Sequence, residues 1–140
     1  MRIVLDTGIF VSALISKNTP PDMLYNAWRK RRFDLITSDV QLEEIERVFF
    51  YKKLERFIQK KEALLMIDTI GSVAEILVDL PVVDLSPDPN DNMIIATALK
   101  GRVDYLVSGD KKDLLSLKTV QNIPIITARK AVAYLGIVDS

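Results

Sequence analysis

The chain has 140 residues, enough for one domain with a substantial hydrophobic core and too few for a second unit of that size. Its 19 basic and 19 acidic residues balance, which excludes a global electrostatic attraction to nucleic acid or to an anionic membrane. It contains no cysteine and no histidine, which excludes thiol and imidazole catalysis and leaves carboxylate oxygens as ligands for hard cations such as Mg²⁺ or Mn²⁺.

In the first half of the chain, short apolar runs alternate with amphipathic stretches. The pattern predicts a strand over 2–5, helices over 9–15 and 22–32, a strand over 33–37, a helix from Ser38 or Asp39 to about Phe50, and two amphipathic helices between Tyr51 and Gly71. Pro20 and Pro21 open the second helix, because proline is tolerated in a first helical turn. We expect the first strand to end on Asp6 as an exposed tip.

The second half of the chain continues the alternation. The pattern predicts strands over 75–78, 104–108 and 124–127, a helix that starts at Asp91, and helices over 111–117 and 128–135. The helix from Asp91 is apolar on nearly every side, so we expect it in the core, with Gly101 as its stop. Strands that alternate with helices predict a single three-layer α/β/α domain, residues 1–140, around a parallel sheet of about five strands.

Several acids follow predicted strands or open predicted helices. The main candidates are Asp6, Glu44, Asp91 and Asp110, with Asp88 and Asp113 beside the last two. Right-handed crossovers bring the carboxyl ends of parallel strands and the N-termini of the following helices to one edge of the sheet, so Asp6, Asp91 and Asp110 are expected there. Carboxylates gathered at one edge repel each other, and a bound Mg²⁺ or Mn²⁺ would remove that conflict.

Helical periodicity separates Glu44 from the neighbouring glutamates. Glu44 shares an i, i+4 row with Val40 and Val48, whereas Glu43 and Glu46 fall on the solvated side of the helix. An acid at the edge of an apolar stripe needs a polar partner. A salt bridge to a neighbouring base is the structural alternative to a role in a site.

The other acids also have structural interpretations. Asp6 could cap the helix that follows it, although Thr7 could do so instead. Asp88 and Asp91 belong to ordinary turn and capping chemistry, and Asp110 could cap a short helix. The functional interpretation therefore depends on the convergence of these acids and on no single one of them.

Four short segments spread over the chain share their order and residues with a known family. They are the opening Ile-Val-Leu-Asp-Thr, Ser38 followed by Leu42-Glu-Glu-Ile, Asp88-Pro-Asn-Asp-Asn with its apolar helix, and Leu-Val-Ser-Gly-Asp110 followed by Lys-Asp-Leu-Leu. In this order they resemble the PIN-domain family over essentially the full length of the chain, in particular the toxin components of bacterial and archaeal toxin–antitoxin systems. Each segment alone is less specific than the set.

The resemblance implies a site and an activity. The metal-binding acids of the family fall on Asp6, Glu44, Asp91 and Asp110, with Asp88 and Asp113 as outer members and Thr7 and Ser108 as hydroxyl neighbours. The implied activity is that of an endoribonuclease dependent on Mg²⁺ or Mn²⁺, which leaves a 5′-phosphate and a 3′-hydroxyl, with an antitoxin protein as partner. The family usually has asparagine where this chain has Gly8, so we expect retained metal binding and slower chemistry.

Partners and location follow from local features. Bases that could contact RNA lie at 29–32, at 52–53 and at 111–112, and a single-stranded or looped RNA suits a narrow acidic crevice better than a duplex. The apolar surface of the helices between Tyr51 and Gly71 predicts a homodimer. No apolar run reaches membrane-spanning length and the chain opens on a core strand in place of a leader, so we expect a cytoplasmic protein with no membrane contact.

Two other function classes compete with the nuclease. One is an inactive PIN-like module that binds RNA or protein, with Gly8 as a sign of lost activity, although the retained acids argue against it. The other is phosphoryl transfer on a strand-end aspartate, as acceptor or phosphatase nucleophile. Such a phosphatase usually needs a second aspartate at the position that Gly8 occupies, which makes this the weaker alternative.

Overall fold

A computed structural model describes residues 1–109 and 112–137 of the chain, without the side chains of Lys112 and Asp113. The strands and helices in this part are β1 (Arg2–Leu5), α1 (Thr7–Ile15), α2 (Pro20–Arg29), β2 (Asp34–Ser38), α3 (Asp39–Phe49), α4 (Lys60–Val73), β3 (Glu75–Leu77), α5 (Pro89–Gly101), β4 (Tyr105–Ser108), α6 (Lys112–Leu115), β5 (Thr119–Val120), β6 (Ile123–Thr127) and α7 (Ala128–Tyr134). The alternation confirms the predicted α/β class.

The strands form one six-stranded sheet in the order β3-β2-β1-β4-β6-β5. Ile3 in the centre pairs in parallel with Leu35 of β2 and with Tyr105 of β4. The only antiparallel pair among the described strands is β5 with β6, so the sheet is mixed and has one strand more than the sequence predicted. Strand β5 has two residues and is joined to β6 by Gln121 and Asn122, both at positive φ, and two residues are too few to show a period of two.

Helices cover both faces of the sheet, as a three-layer domain requires. Successive residues of β1 point to opposite faces: Ile3 and Leu5 pack in a core cluster with α1 to α4 and α7, and Val4 packs in a second cluster with α5 and α6. The two clusters place β1 at the centre of the molecule. Asp6, which follows β1, is therefore surrounded by protein.

Between α3 and α4 the sequence predicted more helix than the structure contains. In place of two amphipathic helices from Tyr51 to Gly71, the chain makes a three-residue 3₁₀ turn at Lys52–Leu54 and then the single helix α4. Ile58 is buried at 8% exposure, and Gln59 is in an extended conformation that interrupts the helix before α4 begins. The mixed apolar and charged pattern of this segment suits a turn as well as a helix.

Helix α5 is buried along most of its length, as its composition predicted. Gly101 does not stop this helix by adopting a left-handed conformation, because Arg102 does so, with φ of 49°. Gly101 is required instead for close packing, since a Cβ on it would lie 2.8 Å from Ile36 Cγ2. No helix within the described ranges is long and apolar enough to cross a membrane.

Arg2 connects three elements at the N-terminal edge of the sheet. Its Nε donates to the carbonyl of Gly101 at 2.9 Å, and its guanidinium donates to both carboxylate oxygens of Glu75 at 3.0 and 2.8 Å. This hydrogen bonding raises the pKa of Arg2 and lowers the pKa of Glu75. Both side chains are well exposed, so the pair adds little to stability and mainly fixes the ends of β1, β3 and α5 relative to each other.

Two glycines at helical positions give a matched test of the packing around α5. Replacement of Gly101 by alanine should lower the free energy of unfolding by about 1–3 kcal/mol, because Ile36 must move. Gly71→Ala in α4 should raise it by about 0.5–1 kcal/mol, since the new Cβ would make an ordinary contact of 3.7 Å with Leu42 and alanine favours the helix. Urea unfolding of both variants measures the two effects, and equal shifts in one direction would contradict this packing.

Candidate active site

Asp6 follows β1 at the C-terminal edge of the sheet and is 1% exposed. The prediction that it forms an exposed tip is wrong, because β4 continues alongside it: the Asp6 amide donates to the carbonyl of Val107 at 2.8 Å, and Ser108 Oγ donates to Asp6 Oδ2 at 3.0 Å. The Asp6 side chain makes no capping hydrogen bond to α1. The structure therefore does not support the interpretation of this carboxylate as a helix cap.

Glu44 points into the protein from the middle of α3, with 5% of its surface exposed. Its Oε1 accepts a hydrogen bond from the hydroxyl of Thr7, the residue after Asp6. Glu43 and Glu46 are exposed, so the predicted orientation of the helix is confirmed. The row itself is less buried than expected, because Val40 is 45% exposed.

Asp91 lies in the first turn of α5 and is 1% exposed. Ser86 Oγ donates to Asp91 Oδ2 at 3.1 Å. The capping role belongs to Asp88, whose Oδ1 accepts from the Asn90 amide at 2.9 Å, and Asn92 closes the preceding loop through its contacts with the backbone of Ser86. Asp88 and Asn92 thus stabilise the turn, and Asp91 is the acid whose side chain is buried in the fold.

Gln41 supports this edge of the sheet and was not identified from the sequence. It has no exposed surface, its Nε2 donates to the Leu5 carbonyl at 2.7 Å, and its Oε1 accepts from Thr37 Oγ1 at 2.6 Å. It holds α3 against the end of β1, one helical turn before Glu44. The signal was available, because Gln41 shares the inward i, i+4 row with Ile45.

Asp6, Glu44 and Asp91 lie at the same edge of the sheet. The Thr7–Glu44 hydrogen bond places the second acid beside the first. The hydroxyl oxygen of Ser38, at the end of β2, lies 2.9 Å from the hydroxyl oxygen of Thr97 in α5. Asp91 precedes Thr97 by six residues, so about 9 Å of α5 extends beyond the strand ends and carries Asp91 there. Strand β1 and helices α3 and α5 therefore each deliver a carboxylate to the C-terminal edge.

The acids fit a divalent cation by the type of their donors. Their carboxylates and the hydroxyls that bind them are oxygen donors of the kind that Mg²⁺ and Mn²⁺ prefer. Among the residues that the structure describes, no three acidic side chains form a group that could hold a metal ion. Asp110, Lys111 and the side chain of Asp113 lie outside the described part of the chain.

A cleft of about 670 Å³ opens beside Asp6. Gly8 and Ser108 line its floor, and Arg129 of α7 contributes a base to its wall that the sequence did not identify. A Cβ built on Gly8 would have no heavy atom within 4 Å. The position where the family usually carries asparagine thus has room for a larger side chain.

A protein family, a relative and a solved structure each match most of the chain. The family model described as the PIN domain matches residues 2–112. An uncharacterised protein of Methanocaldococcus jannaschii is 28% identical over 119 residues, which span 84% of this chain and 76% of that protein. The crystal structure of PAE2754 from Pyrobaculum aerophilum matches with a TM-score of 0.64 at 15% identity, over 97% of this chain and 90% of that chain.

These comparisons differ in what they show. The likeness to the Pyrobaculum aerophilum structure, at 15% identity, shows a shared fold alone. The archaeal relative has no described activity. The family model spans far more than half of the chain and includes the β1, α3 and α5 acids. The chain therefore belongs to the PIN-domain family, whose members are generally nucleases that depend on a divalent metal.

Proposed function

We propose that the protein is an Mg²⁺- or Mn²⁺-dependent endoribonuclease and the toxin of a toxin–antitoxin pair. The observation that carries the nuclease is the burial of three carboxylates from three separate elements at one edge of the sheet, one of which, Asp6, lines an open cleft. Burial of a carboxylate is costly and is found where the group is paired or binds a metal. The toxin role rests on the resemblance of the sequence motifs alone.

On the strength of the sequence motifs we assign the cation to Asp6, Glu44 and Asp91 together with a fourth acid, because the described acids alone form no group that could hold it. Asp110 is proposed as the fourth ligand, with Asp88 and Asp113 as outer members, on the strength of their places in the sequence motifs. When bound, the cation would supply a water of lowered pKa and neutralise charge that develops on the phosphodiester.

The residues around the acids would act by orientation. The hydroxyls of Ser108 and Thr7 fix the rotation of the Asp6 and Glu44 carboxylates, so these side chains need little rearrangement to accept a ligand. Gln41 anchors the backbone immediately before Asp6. Arg129 on the cleft wall offers a charge for a substrate phosphate.

RNA is the proposed substrate, in single-stranded or looped form, and the cytoplasm the proposed compartment. The balanced charge of the chain means that local bases must hold the phosphates. Exposed bases are present at 29–32 and at 52–53. The alternative, a PIN-like module that binds RNA or protein without cleaving it, is favoured by Gly8 and is separated from the nuclease by the first experiment below.

A homodimer is proposed through the outer face of α4. Leu64 and Leu65 are 46% and 68% exposed there. Adjacent exposed aliphatic residues of this size commonly mark a protein–protein interface. An antitoxin protein is a further proposed partner, implied by the sequence resemblance.

The first prediction concerns the activity. The purified protein should cleave single-stranded RNA with Mg²⁺ or Mn²⁺, leave 5′-phosphate ends, and lose activity in a chelator. Asp6→Asn should reduce the rate at least about tenfold, since it removes a charged ligand, whereas Asp68→Asn on the exposed side of α4 should leave it unchanged. Metal-independent cleavage would contradict the mechanism, and RNA binding without cleavage under any divalent ion would favour the binding module.

The second prediction compares neighbouring glutamates of α3. Glu44→Gln keeps an acceptor for Thr7 and removes the charge, so Mn²⁺ affinity and activity should each fall about tenfold or more, or about 1.4 kcal/mol. Glu43→Gln and Glu46→Gln should change them by less than about 0.5 kcal/mol, because both side chains are exposed. Calorimetric titration with Mn²⁺ and initial rates give the two readouts. A silent Glu44→Gln with an inactive Glu43→Gln would exclude this site.

The third prediction tests the dimer. Light scattering should give twice the monomer mass for the wild-type protein, and Leu65→Glu should shift it to monomer because a charge would be buried in the interface. Val82→Glu is the matched control, since Val82 is fully exposed on a loop outside α4. A wild-type monomer at high concentration would remove the dimer and leave the nuclease proposal intact.

A further inference from the structure

A short segment that runs from the end of α3 into the first turn of α4 concentrates exposed aromatic rings and positive charge. Three aromatic residues in it, Phe50, Tyr51 and Phe57, are 48%, 38% and 50% exposed. The bases of the segment are Lys52, Lys53, Arg56, Lys60 and Lys61, and its only acid is Glu55. The chain as a whole has no net charge, but residues 50–61, with five bases and one acid, carry a net charge of +4; we term this basic patch the aromatic–basic segment.

One buried residue within this segment and one immediately before it hold the surface in place. Phe49 and Ile58 are 2% and 8% exposed and belong to the core cluster on one face of the sheet. These two side chains pack in the core, whereas the rings of Phe50, Tyr51 and Phe57 remain on the surface. Exposed aromatic residues in a cluster are uncommon on a monomer surface and indicate a binding site.

The rings and the charges of the segment are close together. Arg56 Cζ lies 4.9 Å from the centre of the Phe57 ring, and Lys53 Nζ lies 5.8 Å from the centre of the Tyr51 ring. A cleft of about 450 Å³ is lined by Phe50 and Tyr51 together with the bases Lys52 and Lys60 and one acid, Glu55. Flat apolar surfaces and cationic groups therefore alternate over a small area.

We propose that the aromatic–basic segment binds single-stranded RNA, with unpaired bases stacked on the exposed rings and phosphates held by the lysines and Arg56. Proteins that bind single strands without sequence preference combine these same two elements, aromatic stacking surfaces and a positively charged track. This inference rests on the proposed ribonuclease function and extends it, because it names a substrate surface outside the acidic edge.

The position of the segment suits that role. Phe50 follows Glu44 by six residues, which is about 9 Å along α3. One flexible strand can therefore contact the aromatic–basic segment and continue to the acidic edge. A surface held this close to the site would position a strand for cleavage and supply attraction that the neutral chain as a whole does not provide.

Charge decides between RNA and a second copy of the chain. In a two-fold symmetric interface the same patch meets itself, so the five bases of the segment would face one another across it. Like charges brought together oppose association, whereas a polyanion is complementary to them. A duplex fits less well than a single strand, because the bases of a duplex are already stacked on each other.

The test measures binding separately from cleavage. A fluorescent single-stranded RNA of about 12 nucleotides, within the site sizes usual for such surfaces, is titrated with the full chain in a chelator, and anisotropy gives the dissociation constant. Phe57→Leu keeps an apolar side chain and removes the ring, and should weaken binding about fivefold or more. Tyr134→Leu, at an aromatic residue that is 58% exposed on α7, is the matched control and should leave binding unchanged.

A second pair of variants tests the charges. Lys52→Gln with Lys53→Gln should weaken binding and lower the slope of log K against log salt by about 1.4, since two phosphate contacts are lost at about 0.7 each. Lys17→Gln with Lys130→Gln removes the same charge elsewhere and should not change the slope. RNA duplex of the same length should respond to the lysine variants but hardly to Phe57→Leu.

The outcomes separate this inference from the nuclease proposal. Phe57-dependent RNA binding in a protein that cleaves nothing would support the RNA surface and contradict the nuclease. Cleavage with an unchanged KM and unchanged binding in Phe57→Leu would overturn the RNA surface and leave the nuclease standing. Loss of wild-type self-association in Phe57→Leu, with RNA binding intact, would assign the segment to contacts between copies of the chain and also overturn the inference.

Discussion

Three carboxylates buried at one edge of the sheet are the constraint on which the rest of the structure depends. An ionised carboxylate loses much of its hydration when it is buried, and the fold must supply polar contacts in return. Each acid accepts a hydrogen bond from a neighbouring hydroxyl: Asp6 from Ser108, Glu44 from Thr7 and Asp91 from Ser86. The hydroxyls come from different elements than the acids they bind in the first two pairs, so the edge forms only when β1, β4, α1 and α3 are correctly packed.

The two edges of the sheet serve different purposes. At the N-terminal edge Arg2 contacts Gly101 through a part-buried hydrogen bond and Glu75 through an exposed one, and Gly101 lets α5 approach β2 closely. At the C-terminal edge polar groups are buried, and a cleft is lined by two of them, Asp6 and Ser108. Helix α5 connects the two edges, because its last turn packs against the sheet and its first turn carries Asp91. The close packing of α5 and its buried acid therefore lie at opposite ends of one helix.

The sequence predicted the α/β class and the orientation of Glu44, because alternating periods and helical rows are local properties of the chain. It did not predict the burial of Asp6, which depends on how far β4 extends beside β1 and places Ser108 against it. Gln41 was missed because a buried amide has no local signature beyond its row on the helix. The segment between Tyr51 and Gly71 was overpredicted as helix, since core packing of a few residues decides where a turn replaces it.

The most direct test of a metal centre is its position in a crystal. Crystals soaked in Mn²⁺, with data collected near the manganese absorption edge, should give an anomalous peak within ligand distance, about 2.0–2.3 Å, of carboxylate oxygens of Asp6, Glu44 or Asp91. A peak in that place, absent from crystals of Asp6→Asn, would establish the cation site at the C-terminal edge. Well-ordered acids with no anomalous peak, or a peak at another surface only, would contradict the account.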